Sequence, residues 1–242
     1  MSGQWLKLGI MLNAVVLVAG CALTGGGVLR GSGNLVTRQE DYTGFDSLDV
    51  GHGFHIEVSQ GEAFGVELRV DDNAVEHLKV EMDGSTLRLG LKSPLYTTLN
   101  VTLRATVTMP ELAGLVLSGG SDGRITGFRS TRPLALEVSG GSELRGDIEA
   151  GAVDCEVSGG SDAILSGAGG DLDLEVSGGS EVDLSGFAVA DATVVASGGS
   201  DVTVNASGRL DVEASGGGTV YYLGSPTLGN INTSGGADLK RK

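Results

Sequence analysis

The sequence predicts an all-β protein: a parallel β-helix, or solenoid, with coils of about 19 residues, preceded by a less regular β region. Three observations predict it. Ser-Gly-Gly recurs seven times, beginning at Ser118, Ser139, Ser158, Ser177, Ser197, Ser215 and Ser234, at spacings of 21, 19, 19, 20, 18 and 19 residues. Aligned on that serine, equivalent positions carry like residues, the mark of stacked repeats. The composition suits thin strands joined by tight turns: 42 of 242 residues are Gly and only 4% are aromatic. Each interior Gly costs a helix about 1 kcal/mol relative to Ala, so helical repeats are disfavoured.

Taken from its start, the chain opens with an export signal. Residues 1–20, MSGQWLKLGIMLNAVVLVAG, place Lys7 before a mostly apolar stretch from Leu8 to Ala19. That stretch has the length of a signal-peptide core and is too short to span a bilayer as a helix. It ends in Val18-Ala19-Gly20-Cys21, which resembles a lipobox, so Cys21 is the expected lipidation site. Several acyl chains on one residue, at about 0.8 kcal/mol per buried CH₂, would hold the protein at a membrane. Ala22, rather than Asp, after the Cys resembles an outer-membrane address, facing the periplasm or the cell surface. Residues 21–33 comprise that Cys and a small-residue stretch, ALTGGGVLRGSG, that reads as a flexible tether.

Residues 34–112 lack the repeat but read as β. His55–Ser59, Gly65–Val70, Leu78–Met82, Thr86–Leu91 and Thr98–Met109 are β-rich or alternating. Gly61-Glu62, Asp71-Asp72-Asn73 and Asp83-Gly84-Ser85 mark turns between them.

Residues 113–242 form the repeat region. Three and one positions before the anchor serine the columns are nearly all apolar: Leu115, Leu136, Cys155, Leu174, Val194, Val212, Ile231 and Leu117, Val138, Val157, Val176, Ala196, Ala214, Thr233. The column between them is mostly polar: Val116, Glu137, Glu156, Glu175, Val195, Glu213 and Asn232. This period-two alternation is that of a half-buried strand. It resumes after the Gly-Gly corner with Gly123, Leu144, Ala163, Val182, Val202, Val220 and Leu239 facing inward. No such coil buries its apolar face alone; stacking at about 4.8 Å makes the core. Seven antiparallel hairpins in a sandwich or barrel would not stack equivalent positions. Cys155 sits in an inward column, where a free Cys acts as a small hydrophobe.

Several motifs in order resemble one family. Gly31-Ser32-Gly33-Asn34, Arg38, Gly44-Phe45-Asp46 and His55-Ile56-Glu57-Val58 lead. Leu87-Arg88-Leu89, Val107-Thr108-Met109-Pro110-Glu111-Leu112 and the Ser-Gly-Gly coils follow. Over roughly residues 31–242 the chain resembles the bacterial putative auto-transporter adhesin, head GIN domain family. The resemblance implies a β-helical cell-envelope protein, often lipidated, and supplies no catalytic residues.

The chemistry the residues suggest is sparse. Four positions past the anchor serine lie Asp122, Glu143, Asp162, Glu181, Thr219 after Asp201, and Asp238, so six of seven are acidic. They are expected to form one outward column, either a solvated acidic face or a weak Ca²⁺-binding one, since Ca²⁺ takes 6–8 oxygen ligands. Ser121, Ser142, Ser161, Ser180 and Ser200 have inward parity and suit hydrogen bonding to the corner backbone. No His lies in the repeats to activate a serine, and His52, His55 and His77 have no spacing that builds a zinc site on a strand. Acid pairs such as Asp171 and Asp173 suit the general acid–base chemistry of a glycan-active enzyme, or equally are outward strand positions like their neighbours. The only Trp, Trp5, lies in the signal, and Tyr221-Tyr222 is the one aromatic pair in the repeats, so sugar-stacking platforms are few. The net charge of −15, one unit more negative without residues 1–20, argues against nucleic acid as a partner. The sequence therefore points to a non-enzymatic lipoprotein anchored in a membrane, adhesive or matrix-interacting, meeting an envelope glycan or surface protein; the alternatives are a cation-binding structural module of the envelope and a glycan-active β-helix enzyme. It implies no cofactor beyond the Ca²⁺ considered above.

Overall fold

The computed structural model describes residues 28–92 and 97–242. It is a parallel β-solenoid with two strands per coil, one on each side of the Ser-Gly-Gly corner. Strands before the corner build one sheet: Thr227–Ser234, Arg209–Ser215, Ala192–Ala196, Leu172–Val176, Val153–Val157, Leu134–Val138 and Gly114–Leu117 lie side by side. Strands after it build the other: Asp122–Arg129, Glu143–Glu149, Asp162–Ala168, Glu181–Val189, Asp201–Ala206, Thr219–Gly224 and Asp238–Arg241. Register follows the repeat, so Leu136 lies beside Cys155 and Cys155 beside Leu174.

The inward columns are buried from Leu115 to Val212 and from Leu117 to Ala214, and Glu137, Glu156, Glu175 and Glu213 between them are exposed. Only the last coil departs. Thr233 is exposed and Ile231 half-buried, because no further coil covers them among the described residues. Cys155 is free and fully enclosed; burial, with the neighbouring Asp154 charge, pushes its thiol pKa up to about 12, so it packs rather than reacts. In the second sheet β-bulges interrupt the register, for example between Asp183 and Ala188, and beyond them Phe128, Ile148 and Phe187 are buried.

The corners explain the motif. The first glycine of every Ser-Gly-Gly has a positive φ, from 62° at Gly119 to 96° at Gly216, which L side chains rarely adopt. The corners also stack closely: a Cβ on Gly140 would lie 3.1 Å from the Gly119 nitrogen. The serine that follows is buried and ties coils together. The Ser161 hydroxyl donates to the Ser158 carbonyl at 2.7 Å and accepts from the Gly141 and Ser142 N–H groups at 3.1 and 3.2 Å. Ser142 and Ser180 repeat the pattern on neighbouring coils.

The less regular N-terminal region extends the same two sheets. Ser47–Val50 pairs in parallel with Gly114–Leu117, and His55–Gln60 with Asp122–Arg129. Register places Gly51-His52-Gly53-Phe54 on Ser118-Gly119-Gly120-Ser121, and His52 adopts φ 66° where Gly119 has 62°. His52 is thus in a corner, not on a strand with His55. Thr86–Leu91 and Leu103–Met109 form one more parallel rung outside it. Spatial order is therefore not chain order: the rung built from 86–109 lies beyond the one built from 47–60. Antiparallel strands then close the end, Leu78–Asp83 on one sheet, Gly65–Asp71 and Leu35–Gln39 on the other.

The signal segment, Cys21 and the tether up to residue 27 lie outside the described residues. Residues 28–33, expected as part of a flexible tether, are docked instead. Val28–Arg30 pairs in parallel with Thr97–Leu99, Leu29 is buried, and the Gly31 N–H donates to the Leu99 carbonyl at 3.1 Å. Asp71 pins this entry. It is 1% exposed and accepts the Gly33 and Thr102 N–H groups at 2.6 Å each. The Thr102 and Gly33 hydrogen bonds hold its carboxyl below the usual 3.8, against the opposing effect of burial. A depressed folded-state pKa stabilises above the unfolded value and is lost as pH falls through the folded one. Asp71→Ala is accordingly expected to cost about 1–3 kcal/mol at neutral pH. Urea titrations at pH 7 and in strong acid check this: the gap between variant and unmodified chain should narrow in acid.

Candidate functional site

The corners and the strands after them set the acidic column. Asp122, Glu143, Asp162, Glu181, Asp201, Thr219 and Asp238 are register partners on consecutive strands. Each follows the buried inward position by one residue, so alternation turns it outward. All six acids lie at the surface, Glu143 alone half-buried.

Proximity along the column does not make the acids converge. Strand spacing of about 4.8 Å separates neighbours, and each side chain points away from the sheet. Among the described residues no group of three or more His, Cys, Asp or Glu is placed to hold a metal ion. Four of the six carboxylates already have partners in the chain. Glu143 pairs with Arg145, Asp238 with Lys240 at 3.0 Å, and Asp122 faces His55 at 3.5 Å. Asp201 accepts the Thr219 N–H at 3.1 Å. Among the described residues the side chains of Asp162 and Glu181, which are neighbours, make neither an ion pair nor a hydrogen bond.

On the outward face of the first sheet, Asp154 with Glu156 and Asp173 with Glu175 project on adjacent strands. At the far corner Asp171 accepts the Asp191 N–H at 3.3 Å, and Asp191 the Arg209 N–H at 2.6 Å, so these acids bind the next coil's backbone. Arg209 grips Asp211 through Nε and Nη2 at 2.6 and 2.8 Å, which holds the Asp211 carboxyl below its usual range.

Followed toward the capped end, the acidic column changes sign. Asp122 is partnered by His55, His55 by Arg104, and Arg104 by Arg69 across an antiparallel pair. One column over, Glu57 lies beside Arg124 and Arg124 beside Arg145. Reading the repeats alone misses these residues, since Arg69 and Arg104 precede the first Ser-Gly-Gly. The signal that could find them is the outward parity of Glu67 and Arg69, and of Arg104 and Thr106, within strands already legible as alternating.

A family model described as putative auto-transporter adhesin, head GIN domain, matches residues 44–226. No curated protein matches the sequence. Solved structures share the fold. A putative adhesin from Bacteroides fragilis is 23% identical and superposes with a TM-score of 0.83 over 88% of this chain and 100% of that one. A putative lipid binding protein from Parabacteroides distasonis is 17% identical, with a TM-score of 0.74 over 89% and 100% of the two chains. A putative adhesin from Parabacteroides merdae is 16% identical, with a TM-score of 0.68 over 88% and 98%.

Proposed function

Because the chain belongs to the putative auto-transporter adhesin, head GIN domain family, we propose that it is a non-enzymatic lipoprotein of the cell envelope that displays its solenoid as an adhesive surface. Cys21 carries the lipid, the membrane is its first partner, and an envelope glycan or surface protein is its second. The observation that carries this reading is the shape of the outward faces. Both sheets present charged and hydroxyl side chains in flat columns, which suits contact with an extended partner along many coils.

The test has two arms. Replacing Cys21 by Ala should abolish acyl labelling and release the chain from the membrane fraction. Retained label and membrane association would remove the lipid anchor from the proposal. In the second arm, cells lacking the gene, and cells carrying Cys21→Ala, should adhere less to surfaces coated with envelope polysaccharide than unmodified cells. Equal adherence of all three would remove the adhesive role.

A further inference from the structure

The chain carries 16 Lys and Arg against 31 acids, and about half of the described cations are ion-paired with a carboxylate, while Lys92, Arg241 and Lys242 donate to other oxygens. Arg69, Arg104 and Arg124 do neither. All three are exposed on the outward face of the second sheet, near its capped end, and among the described residues none makes an ion pair or hydrogen bond. Arg69 stands directly across from Arg104. Like charges directly opposed on neighbouring strands destabilise a sheet, so this arrangement does not serve the fold. Arg124 lies two strands from Arg104 and two residues further along, about 12 Å away, and Glu57 occupies the strand between them. Two clefts meet there, of about 230 and 300 Å³, and both are lined by His55 and Glu57. Arg69 and Arg104 line the first, Arg124 and Arg145 the second.

We propose that this strip binds an acidic glycan whose carboxylates are spaced apart by neutral sugars. The inference rests on the adhesive reading above and names the chemistry of the partner. A guanidinium offers a planar fork that matches a carboxylate in a bidentate pair, and three such forks lie free. Glu57 has no ion-pair partner either, and a carboxylate accepts hydrogen bonds from sugar hydroxyls. The intervening acids decide between polyanions. Glu57, Glu67, Asp122 and Glu143 repel a chain with a charge on every unit, such as nucleic acid or polyglutamate, and the net charge of −15 adds to that repulsion. A polymer that places hydroxyl-bearing sugars over Glu57 and acidic ones over the arginines avoids the local repulsion and, with fewer charges per unit length, meets less of the long-range one.

Calorimetry on the full-length chain tests the proposal with four probes. They are hyaluronan oligosaccharide, with a carboxylate on alternate sugars; dextran, uncharged; polyglutamate; and single-stranded DNA. Hyaluronan should bind, more weakly as salt is raised, and the other three should bind less well. The variant R69A/R104A/R124A should bind hyaluronan about tenfold or more weakly. It should melt no lower than the unmodified chain, because opposed like charges have been removed. Arg88→Ala, on the other sheet, should leave hyaluronan binding unchanged. Equal binding of dextran, tighter binding of polyglutamate or DNA, or an unaffected triple variant would each overturn the strip. No hyaluronan binding by a chain on which cell adherence depends would also overturn it, while leaving the adhesive reading in place. Strip-dependent hyaluronan binding by a chain on which adherence does not depend would support the strip and remove that reading.

Discussion

Leu174→Ala is expected to lower stability by about 2–5 kcal/mol, the range for emptying a well-packed aliphatic site. Leu174 is 1% exposed and lies between Cys155 and Val194 on the adjacent strands, so its side chain is enclosed along the column as well as across the core. A solenoid offers little relaxation there, because the backbone above and below is fixed by its own ladders. Glu175→Ala, one residue on and exposed, is expected to change stability by under about 0.5 kcal/mol. Denaturant midpoints at constant slope check the pair. Similar costs for both would contradict the facing of the whole strand.

The second large effect is expected from Ser161→Ala, at about 1–3 kcal/mol. The loss is not one of volume. It leaves the Gly141 and Ser142 N–H groups of one coil, and the Ser158 carbonyl of the next, without the hydroxyl that joins them. Buried donors without partners cost more than the net worth of the bonds they made. Ser158→Ala provides the comparison in the same corner. The Ser158 hydroxyl is half-buried and makes no hydrogen bond among the described residues, so about 0.5 kcal/mol or less is expected. A cost for Ser158→Ala equal to that for Ser161→Ala would show that the corner needs its serines for another reason.

The repeat coils were legible because their residues vary within narrow chemical classes. Leu, Val, Ile and Cys alternate with Glu around a fixed Ser-Gly-Gly, and each column can be faced from that alone. The acidic column was legible for the same reason. The rung at 47–60 was not, since Gly51-His52-Gly53-Phe54 stands where later coils have Ser-Gly-Gly-Ser. His52 accepts a positive φ, and Phe54, fully buried, fills the place of the small serine. Nor was the arginine strip legible. Arg69, Arg104 and Arg124 lie on three separate strands, and only an antiparallel pairing beside parallel ones brings them together. The docking of Val28–Arg30 was hidden by its composition, because a short run flanked by glycines reads as tether whether or not a strand receives it.

The inverted order of the first two rungs bears on how the chain assembles. Ser47 and its partner Gly114 are 67 positions apart, whereas later coils close over 18 to 21 residues. Loop-closure entropy grows only logarithmically, so the longer closure adds about 1 kcal/mol. Distance along the chain is thus a minor obstacle to starting the stack. What matters is the template: Gly114–Leu117 and Asp122–Arg129 need the edges of 47–50 and 55–60 to pair against, and those edges precede them in the chain. A chain emerging from its N-terminus presents that template before the first Ser-Gly-Gly coil arrives. A stack begun there is closed on its far side by antiparallel strands, which leaves its other edge open to receive the coils in chain order.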